Sequence, residues 1–220
     1  MSHQKVTEIE GLVHPELAAV DVVDQSGGDL SRSDVILKGA LAAGAVYGTL
    51  MVAPFVRSAF AAAGTSDVDI LNFALTLEYL ETAFYEEAQK KVKASGELKK
   101  LLPLFLSDEK QHVAALKGTV EKLGGKPVAE PTFNFEYSGT SGFLKLAETL
   151  ENTGVGAYNG AAPSIKSKEV LAAAGSIVQV EARHVAAIAL QNKQEPSPSA
   201  FDAPLTEKQV LKAVEPLIAS

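Results

Sequence analysis

Between residues 64 and 195 apolar side chains recur at helical spacing in four separate runs. Each run is interrupted by acids or histidines at positions that its own period assigns to the buried face. The first run begins after Gly64, with Ser66 and Asp67 as cap residues, and extends to about Ala94, ahead of Ser95-Gly96. Its stripe is Leu71, Ala74, Leu75, Glu78, Thr82, Tyr85. The second opens at Leu102 or Pro103, proline being favoured in a first helical turn, and stops at Gly124-Gly125; its stripe is Leu102, Phe105, Leu106, Glu109, His112, Val113, Leu116, Val120, Leu123. The third opens at Thr140-Ser141, carries Leu144, Ala147, Glu151, Val155, Tyr158, and closes near Pro163. The fourth is capped by Ser167, carries Ala174, Ile177, Val178, Glu181, His184, Val185, Ile188, and ends before Pro196.

The pattern thus predicts an all-α protein built on a four-helix bundle, with a domain spanning 64–195. Between the second and third helices lie Pro127, Pro131, Phe133, Phe135 and Gly139, too irregular for a strand hairpin and too apolar for a free linker. Extended at about 3.3 Å per residue, that stretch spans a helix of roughly 30 Å with chain to spare, so one long crossover is expected. After a Pro/Ser-rich stretch, residues 196–220 hold a capping box, Thr206-Glu207-Lys208-Gln209, which predicts a short terminal helix to about Pro216.

The first 63 residues differ in character. Residues 1–30 set Glu8, Glu10, Glu16, Asp21, Asp24 and Asp29 against Lys5, which predicts an acidic tail with His3 and His14 expected to be solvated. Residues 31–63 run from Ser31-Arg32-Ser33-Asp34 through an uncharged apolar stretch to Ala59-Phe60-Ala61-Ala62, the outline of a twin-arginine-like export leader without its second arginine. The same outline fits a membrane anchor through residues 35–60 or a helix packed on the domain. The expected location is therefore the periplasm or cell envelope, or the membrane, with the cytoplasm as the alternative.

Composition narrows the chemistry. A net charge of −7 offers no electrostatic footprint for nucleic acid. Without cysteine there is no disulfide, thiolate zinc site or iron–sulfur cluster, and any metal is held by oxygen and imidazole. Such a metal is what the interrupted stripes call for, because a buried carboxylate without a partner is too costly to keep its charge. Glu109-x-x-His112 returns 72 residues later as Glu181-x-x-His184. Glu78 precedes Tyr85 by seven residues and Glu109 by 31, and Glu151 precedes Tyr158 by seven and Glu181 by 30. The chain is a doubled helical hairpin. One Glu-x-x-His is a weak signal, but two, each mid-helix and each preceded at matching distance by a buried Glu, are a strong one. Glu81 and Glu148, each three residues from a stripe acid, are further ligand candidates. Tyr85 and Tyr158 are candidates for holding the carboxylates or carrying an oxidising equivalent, or else simply fill the core.

The segments Leu77-Glu78-Tyr79-Leu80-Glu81-x-x-Phe84-Tyr85, Glu109-x-x-His112, Glu151-x-x-Gly154-x-x-x-Tyr158 and Glu181-x-x-His184 resemble the ferritin-like superfamily, and within it the exported branch that includes desiccation-related proteins. The resemblance covers roughly residues 66–195. It implies a bundle holding two iron ions, or manganese in their place, with Glu78, Glu109, His112, Glu151, Glu181 and His184 as ligands. It also implies redox chemistry with O₂ or peroxide. A stress- or desiccation-protective protein with a structural metal site is the other expectation, and the oligomeric state is left open.

Overall fold

The computed structural model describes residues 66–219. The expected acidic tail, and the segment expected as a leader, anchor or packed helix, lie outside the described residues. The described elements are α1 (Asp67–Lys91), α2 (Leu98–Lys122), α3 (Gly139–Ala161), α4 (Lys168–Gln191) and α5 (Glu207–Val214), with one 3₁₀ turn at Ala162–Ser164 after α3 and another at Glu215–Leu217 after α5. Among them no helix is long and apolar enough to cross a membrane.

Helix α1 starts where its chemistry directs. The Ser66 hydroxyl accepts from the Asp69 amide, Asp67 and Asp69 face the positive end of the helix dipole, and Lys90 and Lys91 the negative end. It stops three residues short of the expected Ala94. Val92 turns extended, and it and Ala94 lie partly buried against the larger apolar cluster. Helix α2 begins earlier than expected, at Leu98, with Pro103 inside it. The extra turn buries Leu98 and Leu102, each 3% exposed. Two such burials contribute on the order of 3–6 kcal/mol, more than the roughly 3 kcal/mol an interior proline costs. Leu123, expected on the buried stripe, falls just past the last helical residue and is exposed.

Helices α1 and α2 pack as one hairpin and α3 and α4 as the other, with α1 against α3 and α2 against α4 across the bundle. Asp67 ties the two hairpins at one end, its carboxylate accepting from the amides of Lys166 and Ser167, each at 2.8 Å. The crossover between α2 and α3 lies along α1. The Asn72 side chain donates to the Lys126 carbonyl and accepts from the Val128 amide, and farther on Phe135 and Tyr137 meet Phe84 edge-on. An isolated antiparallel bridge, Phe133 to Ile218, fastens the crossover to the C-terminal segment.

The predicted capping box forms at Thr206 and Gln209, and Val210 and Val214 of α5 sink into the core. The approach to α5 crosses α3 over two glycines. The Leu205 amide donates to the Gly156 carbonyl, and a Cβ at Gly160 would lie 1.9 Å from the Leu205 carbonyl oxygen, so only a residue without a side chain fits there.

The apolar interior falls into two clusters. One gathers Leu80, Phe84, Tyr85, Leu102, Phe105, Phe143, Leu150 and Ile188; the other gathers Leu71, Leu75, Leu116, Val120, Val170 and Ile177. On α2 the first ends at Phe105 and the second begins at Leu116; on α4 the second ends at Ile177 and the first resumes at Ile188. On those two helices the buried residues between the clusters are polar.

Candidate metal centre

Into that gap project Glu78 from α1, Glu109 and His112 from α2, Glu151 from α3, and Glu181 and His184 from α4. All four carboxylates are 0% exposed, and the histidines are 7% and 3% exposed. Three or four residues of helix bring a side chain back to the same face, so each Glu-x-x-His offers one carboxylate and one imidazole side by side. His112 Nδ1 lies 3.2 Å from Glu78 Oε2, 3.1 Å from Glu109 Oε2 and 2.9 Å from Glu181 Oε1. His184 Nδ1 lies 3.0 Å from Glu109 Oε1, 3.4 Å from Glu151 Oε2 and 4.0 Å from Glu181 Oε2.

The candidate ligand atoms form two groups, Glu78, Glu109, His112 and Glu181 on one side and Glu109, Glu151, Glu181 and His184 on the other, each drawn together within 4.8 Å. Glu109 and Glu181 belong to both, turning one oxygen to each histidine. Which carboxylates are shared was not legible in the sequence.

Glu109 Oε1, Glu151 Oε2, both oxygens of Glu181 and His184 Nδ1 are buried without a directed hydrogen bond, although the ion-pair distances are short. Proximity without alignment is how donors arranged around a common point look, and the orphaned oxygens aim where a cation would satisfy them. An oxygen-rich set with one imidazole per group suits iron or manganese, and zinc on affinity grounds.

The electrostatics agree. Burial lowers the basicity of both histidines, but the carboxylates crowded around their ring nitrogens win and raise His112 to about 12 and His184 to about 11. Burial drives Glu78 up to about 7. It drives Glu181 well above the usual carboxylate range, with the charge of Glu78 adding to it. Burial also pushes Glu109 upward, yet the neighbouring His112 and His184 imidazoles hold it at about 2. Without metal, the imidazoliums supply part of the positive charge that the acids require.

The two tyrosines cross between the halves. Tyr85 of α1 donates to Glu151 Oε1 of α3, and Tyr158 of α3 donates to Glu78 Oε1 of α1. Each therefore fixes the carboxylate of the opposite hairpin. Burial and the adjoining carboxylates push both phenols well above their ordinary pKa. Glu148 lies outside both groups, half-buried and accepting from the Asn192 side chain at 2.7 Å. Glu81 also lies outside them but is 3% exposed beside the centre. One participant escaped the sequence reading: Asp108 Oδ2 lies 3.3 Å from His184 Nε2, the nitrogen facing away from the ligand group. Its only signal was an acid immediately before Glu109.

The ferritin-like domain family model matches residues 66–194, more than half of the chain and all four bundle helices. The chain belongs to the ferritin-like domain family. No curated protein matches it. The matched region contains both Glu-x-x-His segments and both tyrosines, so the ferritin-like domain and the buried polar centre coincide.

Proposed function

We propose that this ferritin-like protein holds two iron ions, or two manganese ions, between its four central helices and uses them in redox chemistry with O₂ or peroxide. The observation that carries the reading is the pair of four-residue groups sharing Glu109 and Glu181, with buried oxygens that have no directed partner. Four carboxylates against two divalent cations leave a nearly neutral centre, which can stay buried. Bound there, the ions would each supply one electron to a reducible oxygen species.

The chain's own residues prepare the place. His112 and His184 present Nδ1 to the groups. Asp108, accepting from His184 Nε2–H, selects the tautomer that leaves Nδ1 free. Tyr85 and Tyr158 hold Glu151 and Glu78 in orientation, and the apolar clusters at either end limit water. Iron is loaded anaerobically as Fe(II), and O₂ or peroxide is then pulsed in. Repeated rapid turnover supports the enzymatic reading. One slow stoichiometric oxidation would leave a protective protein whose metal staples the bundle. A wild-type chain that retains no metal would refute both.

A further inference from the structure

Where α1, α3 and α4 face one another stand Ala74, Ala157, Ala161 and Ala174, positions at which a fully packed bundle would carry larger side chains. The space they leave is not filled: a void of about 20 Å³ lies among them. Leu77 and Tyr158 also line it, and the Tyr158 hydroxyl donates to Glu78 Oε1, so the void ends one side chain from the polar centre. It has room for one water-sized molecule. Its lining offers that molecule a single polar side-chain atom, the Tyr158 hydroxyl, which is already committed to Glu78. A buried water needs about two to four polar partners, so the void stays dry, whereas a small apolar molecule gives up nothing on entering.

The void is the inner end of a longer passage. An open cleft of about 190 Å³ shares Ile70, Phe73, Ala157 and Ala161 with it and reaches the surface past Ser164, Leu205 and Glu207. A Cβ at Gly156 would lie 2.5 Å from Leu205 Cγ, and one at Gly160 1.9 Å from the Leu205 carbonyl oxygen. The approach to α5 is thus pressed onto the bare backbone of α3, and the mouth has a fixed wall. Polar side chains stand at that mouth, and the passage becomes apolar inward.

Resting on the two-ion reading, we propose that this passage between α1 and α3 carries O₂ to the centre, with the void as its inner station. It selects O₂ over peroxide. O₂ makes no strong hydrogen bonds to water and loses little on entering, whereas hydrogen peroxide would leave its hydrogen bonds unreplaced along the alanine-lined stretch.

Xenon is an apolar probe that marks such a void without any chemistry. It is applied under pressure to crystals of the full-length, chelator-stripped protein, and an atom is expected among Ala74, Ala157, Ala161 and Ala174. Ala161→Leu, at the neck shared by cleft and void, and Ala174→Leu, which fills the void from α4, are each expected to abolish it. After anaerobic loading with Fe(II), both variants should hold metal as wild type does. Their rate with O₂ should fall by roughly tenfold or more, the factor that reopening an overfilled neck costs, while the rate with hydrogen peroxide stays within about twofold. Xenon absent from wild type, or O₂ and peroxide slowed alike in the variants, would overturn the inference and leave the two-ion centre standing. So would an unchanged O₂ rate in a variant that has lost its xenon. A wild-type chain that retains no Fe(II) would instead remove the reading beneath it.

Discussion

Replacing Glu181 by methionine should make the metal-free protein more stable and the metal-loaded protein less stable. Glu181 is 0% exposed and neither of its oxygens has a directed hydrogen bond. Leaving a buried acceptor unsatisfied costs about 1–3 kcal/mol, and methionine fills nearly the same volume without that cost. His112 loses one neighbour at 2.9 Å but keeps Glu78 and Glu109. The net expectation in chelator is a gain of about 1–3 kcal/mol, a Tm higher by about 2–10 °C for a domain of this size. With Mn²⁺ at about a hundred times its Kd, two sites would stabilise wild type by about 5 kcal/mol, whereas the variant, missing a ligand common to both groups, should gain little. Thermal unfolding followed by circular dichroism, with chelator and with Mn²⁺, gives the four melting points. A metal-free variant several degrees below wild type would show Glu181 to be a satisfied member of a polar network. An undiminished Mn²⁺ response would show that it is no ligand. Either result refutes the reasoning.

Four further outcomes follow from the site and the packing. Histidines raised to about 12 and 11 carry protons at neutral pH and must give them up to a metal, so loading should release protons and apparent affinity should rise with pH; calorimetry in buffers of different ionisation enthalpy measures this. By linkage, those raised values stabilise the metal-free fold fully below pH 6.5, and the benefit is lost as pH climbs toward 11 to 12, so the Tm in chelator should fall across alkaline pH. Gly160→Ala places a Cβ 1.9 Å from the Leu205 carbonyl and should cost about 1–3 kcal/mol, with faster amide exchange in α5 and unchanged metal stoichiometry. Pro103→Ala supplies the missing amide donor inside α2 and should raise stability by about 1–3 kcal/mol in urea unfolding.

The bundle was legible because each helix announces itself by period, and α1, α4 and α5 also by a start signal, Ser66, Ser167 and Thr206, whose side chains all cap as expected. The six centre residues were legible because acids on an apolar stripe contradict their surroundings. What was hidden depends on how one helix sits against another. Asp108 lies at the edge of its own stripe and acquires meaning only from its distance to His184 on α4. The pairing of each tyrosine with the opposite hairpin's carboxylate has the same origin. Glu148 shares the three-residue spacing of Glu81, yet α3 turns it toward Asn192. The start of α2 was misplaced because a local rule about proline was outweighed by the burial of Leu98 and Leu102, a tertiary effect.

The polar layer that divides the interior into two apolar clusters also bears on how the molecule melts. Each cluster draws on all four bundle helices, but along α2 and α4 they are joined through Glu109, His112, Glu181 and His184 and not through a continuous greasy seam. Cations gripping both helices at that layer would lock the ends into one cooperative block, and stripping them would let the ends loosen in succession. Scanning calorimetry should then give a van't Hoff to calorimetric enthalpy ratio near one with metal and clearly below one in chelator. The centre would act as the rivet that makes two small cores unfold as one.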